Sequence, residues 1–528
     1  MKSHSYLFTF ILFVCLASNI LSQYQNIRVD GPLSNSPEEV TIAINPVNPN
    51  VLAAGANIDH FYVSTDAGNT WIESRLVSNL LGVWGDPVVL FDSLGNLYYS
   101  HLSNPVSGWW IDRIVVQKST NNGVSWNDGV GVGLNNYPKQ QDKEWLAVDL
   151  TQSPYRGNVY MTWTEFDDYG SSNPNDSSRI RFSKSTNEGE TWSDAITISD
   201  ISGNCIDDDL TTEGAVPCIG PNGEIYVSWA GPAGIVFDKS TDGGATWGAD
   251  VFVNSMPGGW AFDVSGISRC NGMPITMCDL SGSPYNGHIF IVWSDQRNGA
   301  TNTDIFMSKS TDAGETWSPQ LKINDDNTAR HQFFVWSDID QSTGHIWCAF
   351  YDRRNTTGID TDVFVAKSTD GGATFENFKV SESSFTPTSS IFFGDYTNIA
   401  AWNGKIYPIW MRLHNSQLSV WVAPLTDSTT ITHSEIDKNI PSYYVLFQNY
   451  PNPFNPSTTI SYQLPEAAFV TLSVFDVLGN EIQTLTNNFM QAGVHEIIFD
   501  ASDFSSGMYF YRIIANEFEQ MNKMILIK

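Results

Sequence analysis

Positive charge is scarce in this chain: 27 Lys and Arg stand against 57 Asp and Glu, for a formal net charge of −30. Such a surface repels a phosphate backbone, which excludes nucleic acid as a partner. Charge of either sign is sparse, at 16% of residues, yet 41% of the chain is hydrophobic and 13% aromatic, so the composition is not that of a disordered acidic polymer. Beyond the first 22 residues no run of 18 uncharged apolar residues occurs, and no membrane-spanning helix is expected. Cysteine is limited to six residues with no CxxC spacing, which removes a cysteine zinc site. A phosphate-cradling glycine loop, a nucleotide fingerprint, an HExxH helix and a GxSxG elbow are also missing.

What is present begins with an address. Lys2, the apolar run Tyr6 to Leu16, and the small or polar Ala17, Ser18 and Ser22 read as a secretory signal peptide over residues 1–22. An oxidising destination favours local disulfides, and the short separations pair Cys205 with Cys218 and Cys270 with Cys278. Cys348 is left over in an apolar run and reads as a buried strand residue.

An eight-residue element, Ser-Thr-Asp/Asn-x-Gly-x-Thr/Ser-aromatic, occurs six times: Ser64 to Trp71, Ser119 to Trp126, Ser185 to Trp192, Ser240 to Trp247, Ser310 to Trp317 and Ser368 to Phe375. Apolar runs flank each copy, so it joins two antiparallel strands. Asp or Asn accepts from turn N–H groups, Gly permits positive φ, and the aromatic packs beneath its hairpin. Two further apolar runs precede each copy, the second often ending in an aromatic, as in Val159 to Trp163 and Ile225 to Trp229. Four strands in tandem repeat are propeller blades. A seventh unit over Phe393 to Leu425 lacks its fourth strand, and Asn26 to Asp30 resembles the missing one. Pairing it with the last blade closes the ring and removes a sheet edge. The expectation is an all-β propeller over residues 23–425 with seven blades, or six if the first or last unit is irregular.

Residues 426–442 are polar and aperiodic and read as a linker. Residues 443–528 carry alternating runs punctuated by Gly479, Gly493 and Gly507, a small antiparallel β-sandwich. Asn449 to Ile460 (NYPNPFNPSTTI), Val474 to Gly479, Gly493-Val494-His495 and Ser506 to Tyr509 closely resemble the C-terminal sorting domain of the type IX secretion system. That resemblance implies export across the outer membrane of a Bacteroidetes-like bacterium, the secretion machinery as a partner, and a secreted or surface location.

In a propeller of this kind the repeated turns occupy one face. The loops entering the innermost strands and those joining second and third strands occupy the other, where function is sought. That face carries Asp86, Asp142, Lys143, Glu144, Glu165, Glu213, Asp263, Arg330, His331, Asp395 and Tyr396, with Asp295, Arg297, Asp352, Arg353, Arg354, Arg412 and His414. Arg297, Arg354 and Arg412 recur at one blade position. They read either as loop-fixing ion pairs with Asp295 and Asp352 or as a cationic pocket for a substrate carboxylate. Trp109, Trp110 and Trp260 are candidates for stacking on sugars or for blade packing. Asp207-Asp208-Asp209 and Asp325-Asp326 read as solvated acidic loops, with structural calcium as the alternative; no other metal and no cofactor is expected.

The box-bearing propeller resembles the sialidase superfamily. The resemblance implies a retaining glycosidase with three arginines on the substrate carboxylate, a Tyr nucleophile assisted by a Glu, and an Asp acid/base. Carried onto this sequence it implies Arg297, Arg354 and Arg412 for the carboxylate, Tyr396 as nucleophile, Glu144 or Glu213 as its base, and Asp86 as acid/base. The sequence departs from the family in lacking an Arg-Ile-Pro or Arg-Leu-Pro segment near the first blade and in its seventh unit. Two functions follow: a glycosidase acting on sialic acid or related glycans, or a non-catalytic propeller binding glycans or a protein.

Overall fold

The computed structural model describes residues 24–32, 35–80, 82–104, 110–414, 417–427, 444–449, 451–465, 467–490, 493–502, 504–516 and 518–528. The signal-peptide reading and Trp109 lie outside them. Every described element is a strand, and no described helix could cross a membrane. Residues 27–426 form seven antiparallel sheets, six of four strands and the last of five, in which consecutive strands run from the inside outward. The innermost strands are Thr41–Ile44, Val88–Phe91, Gln140–Val148, Glu213–Ile219, Ile275–Cys278, Gln332–Asp340 and Asn398–Trp402, taken here as blades 1 to 7. Each packs beside the next, and the last beside the first, so the set is cyclic. Ile27–Arg28 supplies the outer strand of blade 7, Ile27 facing Val422 and Arg28 facing Trp421. The Asn26 side chain reinforces this closure, donating to the Val380 carbonyl and accepting from Glu382 N–H, both at 2.8 Å.

The repeated turn explains how the blades hold each other. In the first copy the Ser64 hydroxyl donates to Asp66 Oδ1 at 2.8 Å, and the carboxylate accepts from Thr70 N–H at 2.9 Å and its hydroxyl at 2.6 Å. Asn121 and Asn187 play the same part in their copies. Three of the aromatics also reach across to the neighbouring blade. Trp126, Trp247 and Trp317 stand edge-on to Phe61, Phe182 and Phe237, at 5.1, 4.9 and 5.1 Å, each on the preceding blade. The lysines that precede the third and fourth copies also cross: Lys184 donates to Gly243 O at 2.6 Å and Lys239 to Ala313 O at 2.7 Å, both in the next turn.

Two further expectations are corrected. All five described cysteines are free thiols. Neither Cys205 with Cys218 nor Cys270 with Cys278 is joined. Second, the propeller runs two residues into the stretch read as linker. Leu425–Thr426 pairs with Lys405–Ile406, and buried Asp427 binds Lys367 and His345, each at 2.6 Å.

The tail has its own core. The sheet Val445–Leu446, Ser457–Leu464 and Gly493–Asp500 accompanies a second of Glu481–Met490, Ala468–Phe475, Gly507–Ala515 and Phe518–Leu526. Alternate residues Ile460, Tyr462, Val470, Leu472, Val474, Tyr511 and Ile513 are buried together, as two-faced strands require.

Candidate functional site at the mouth of the ring

The innermost strands enclose an apolar channel of 320 Å³, lined by residues such as Ile42, Val88, Val216 and Ile275. Trp145 and Trp336 cross it with ring centroids 4.2 Å apart, and Tyr396 meets Trp145 edge-on at 5.6 Å. The entries to these strands share a feature of the backbone. Glu39, Asp86, Lys143, Gly214 and Phe334 all have φ between +50° and +74°, each two residues before the position where its strand's pairing begins or, past a bulge, resumes. Four of the five are not glycine, and left-handed residues of that kind persist only where surroundings impose them, often beside functional sites. The local bulge breaks strand alternation, so that charged side chains enter the mouth in place of apolar ones.

Those side chains form one network. Lys143 is buried and binds Asp142 at 3.1 Å and Asp395 at 3.3 Å, while its N–H donates to Asp86 Oδ2 at 3.3 Å. Arg269 takes Asp395 with two nitrogens, Nε at 2.8 Å, and reaches Asp207 at 3.2 Å. Asp207 also accepts from Tyr169 Oη at 2.7 Å and Trp260 Nε1 at 3.2 Å. Asn57 bridges two blades, donating to Glu39 and accepting from Asp86 N–H at 2.7 Å. Glu144 and Glu213 lie behind, 1% and 0% exposed, with no hydrogen-bond partner for any of their four carboxyl oxygens among the described residues.

Environment separates these carboxyls. Burial, reinforced by Asp142, pushes Asp86 up to about 7. Glu39, Glu144 and Glu213 are driven well above the usual range, chiefly by burial. Burial works in the same direction on Asp207, but Lys143, the Tyr169 hydroxyl and Arg269 outweigh it and hold that group at about 2. Lys143 is itself raised, since Asp142, Glu213 and Asp395 overcome its burial. Tyr396 is buried against the two tryptophans, and burial with Asp86 and Glu39 nearby lifts its phenol far above normal.

The structure therefore brings Asp86, Glu144, Glu213 and Tyr396 to one mouth, together with Glu39, Asp207, Arg269 and Asp395. It does not gather the arginines there. Arg297 lies over Phe306 at 4.5 Å and binds Asp295 at 2.5 Å; Arg354 lies over Phe364 at 4.5 Å and binds Asp352 at 2.7 Å; Arg412 lies over Trp421 at 4.9 Å. Each guanidinium lies on an aromatic of its own blade and also bonds to the preceding one, Arg297 to Ser255 O at 3.0 Å, Arg354 to Asp325 and Arg412 to Ser383 at 3.1 Å. Glu165 is held within its blade by Arg179 at 2.6 Å, and the His414 side chain falls outside the described set. Trp260 is buried with its indole N–H on Asp207, and Trp110 meets Tyr137 edge-on at 5.0 Å.

The acidic runs are occupied by protein donors. Asp208 accepts from Asn204 at 2.9 Å, Asp209 from Ala261 N–H at 3.1 Å, and Asp326 from Thr328 N–H at 3.1 Å and Asn324 at 2.7 Å, while Asp325 pairs with Arg354.

Glu39 escaped sequence reasoning although it occupies in blade 1 the position of Asp86 in blade 2, a correspondence that lining up the strand entries would expose. Arg269 lies in an insertion before blade 5 with no counterpart in the other units, and no repeat signal marks it.

Comparison with known proteins adds one assignment. Residues 448–528 match the secretion system C-terminal sorting domain, which directs the chain to the cell surface or into the medium through the type IX machinery. No curated protein matches the chain. Solved structures of similar fold include a Hadza microbial sialidase (14% identity, TM-score 0.41, covering 71% of this chain and 73% of that one). Trypanosoma rangeli sialidase is another (11%, 0.41, 87% and 86%), as is Penicillium chrysogenum alpha-L-arabinanase complexed with arabinobiose (14%, 0.41, 77% and 99%).

Proposed function

We propose that this exported propeller is a glycoside hydrolase whose acid–base pair is Asp86 and Asp207. The observation that carries this reading is the splitting of two partly exposed carboxyls on either side of Lys143, one near 7 and one near 2. Pairs of groups whose environments drive their pKa values apart are how one site holds an acid and a base together. Protonated Asp86 donates to the leaving glycosidic oxygen. Ionised Asp207 takes the proton of the attacking water. The Tyr396 phenol is too firmly protonated to attack, so the nucleophilic role implied by the sialidase resemblance passes to water activated by Asp207.

Seven mouth carboxyls face two cations, both already bound to carboxylates, which favours an uncharged sugar over sialic acid. Turnover falls as pH rises through about 7, because Asp86 must hold its proton. Asp86→Asn lowers turnover of unactivated oligosaccharides by about 10²-fold or more and flattens that limb, while dinitrophenyl glycosides, whose leaving group needs no proton, lose far less. Equal losses on both substrates would refute Asp86 as the acid.

The near-complete burial of Glu144, Glu213 and Asp395 favours a second reading, in which the mouth binds a glycan or protein without cleaving it. Binding with no turnover across neutral and sialylated glycosides decides for that reading.

A further inference from the structure

A cavity of 580 Å³ lies at the rim between blades 1 and 2 and the loop before blade 7, lined by Glu38, Asn57, Asp59, Arg75, Trp84 and Phe392 among others. Its size is that of a ligand pocket. Two large aromatics at its wall are open to solvent, Trp84 at 48% and Phe392 at 39% exposure. The polar groups are planar and mutually bonded: Arg75 pairs with Asp59, and His60 at the back binds Glu73 at 3.0 Å. Aromatic faces beside planar hydrogen-bonding groups, with Arg75 already paired to Asp59, suit a pyranose ring, which offers C–H faces and a rim of hydroxyls.

Two residues of the cavity wall also touch the groups of the mouth. Asn57 lines it while donating to Glu39 and accepting from Asp86 N–H, and Phe392 lines it while lying 5.1 Å from the Arg269 guanidinium that holds Asp395 and Asp207.

We infer that this cavity is a subsite for one uncharged sugar ring of a glycan chain, stacked on Trp84 and directed by Asn57 toward the Asp86 mouth. The inference rests on the glycan-active reading of the mouth and adds where the chain extends and which sugars it admits. Glu38, which burial pushes up to about 8, is protonated at neutral pH and presents a hydroxyl donor to the ring.

The test uses the full chain and isothermal titration with cellotriose, xylotriose, maltotriose and 3′-sialyllactose. At least one neutral trisaccharide binds more tightly than 3′-sialyllactose. Trp84→Ala and Phe392→Ala each weaken that binding about tenfold or more, with melting temperatures recorded alongside so that loss of binding is separated from loss of fold. Asp86→Asn keeps the binding while losing turnover. Preference for 3′-sialyllactose, binding indifferent to both aromatic variants, or no trisaccharide binding at all overturns the inference. If Trp84→Ala leaves binding intact while Asp86→Asn still abolishes turnover, the subsite falls alone. If Asp86→Asn turns over normally while Trp84→Ala loses binding, the mechanism falls and the subsite stands.

Discussion

Replacing Gly314 by alanine tests whether the repeated turn joins blades or merely closes its own hairpin. Gly314 has φ +86°, and a Cβ there would lie 2.2 Å from Phe237 Cε1 and 2.7 Å from Cζ. Phe237 belongs to the preceding blade and is pinned by Trp317, so its ring has little room to retreat. A left-handed conformation costs an alanine about 1–2 kcal/mol, and forcing a methyl into a packed contact adds about 1–3 kcal/mol. The expected loss is therefore about 2–5 kcal/mol. Gly157 supplies the control, with φ +84° and nothing within 4 Å of its Cβ, so Gly157→Ala carries only the backbone cost, about 1–2 kcal/mol. Urea unfolding followed by tryptophan near-ultraviolet dichroism gives both midpoints. Equal losses in the two variants would refute the claim that box glycines are selected by the neighbouring blade. If the claim holds, Gly123→Ala behaves like Gly314→Ala, since its Cβ would meet Phe61 at 2.2 Å.

Arg354→Ala removes the partner of fully buried Asp352 and should cost about 3 kcal/mol or more. Asp352 already sits near 6 because burial outweighs Arg354. A raised carboxyl contributes stability at low pH and loses it as pH climbs through the folded value, so the deficit of Arg354→Ala grows from pH 5 to pH 8. Urea midpoints at the two values measure this, and unaltered glycan affinity separates a structural arginine from a substrate ligand. Mass spectrometry after alkylation in denaturant without reductant should show all five cysteines from Cys205 to Cys348 modified; a pair left unmodified would reveal a disulfide.

Sequence reading succeeded where the physics is local and repeated. Ser64, Asp66, Gly68 and Thr70 satisfy one another within eight residues, so six copies announce their turn without reference to the rest of the chain. Four-strand periodicity carried from there to the propeller. The partner of Trp317 was not legible, because Phe237 stands 80 residues away and nothing local distinguishes packing on its own hairpin from packing on the neighbour. The arginines misled for a related reason. Recurrence at one blade position was read as convergence on the mouth, whereas the same recurrence places each guanidinium on its own blade's aromatic. Asp86, Glu144 and Glu213 were reachable because strand entries can be counted; Arg269 sits in an irregular insertion and could be found only in three dimensions.

The electrostatics of the mouth follow from this relocation. A substrate carboxylate would have to displace Asp395 or Asp207 from Arg269, or Asp142 and Asp395 from Lys143, exchanging one charge-assisted contact for another while leaving a buried carboxylate without its cation. Breaking such a buried pair costs several kcal/mol and returns no net attraction. An uncharged ring asks for none of this: burial drives Asp86 up to about 7, so at or below that pH it can donate to a sugar oxygen, while Asp207 stays ionised to accept. The scarcity of positive charge along the chain thus reaches into the site itself, where each cation is committed to the protein and the groups left for a ligand are protons and lone pairs.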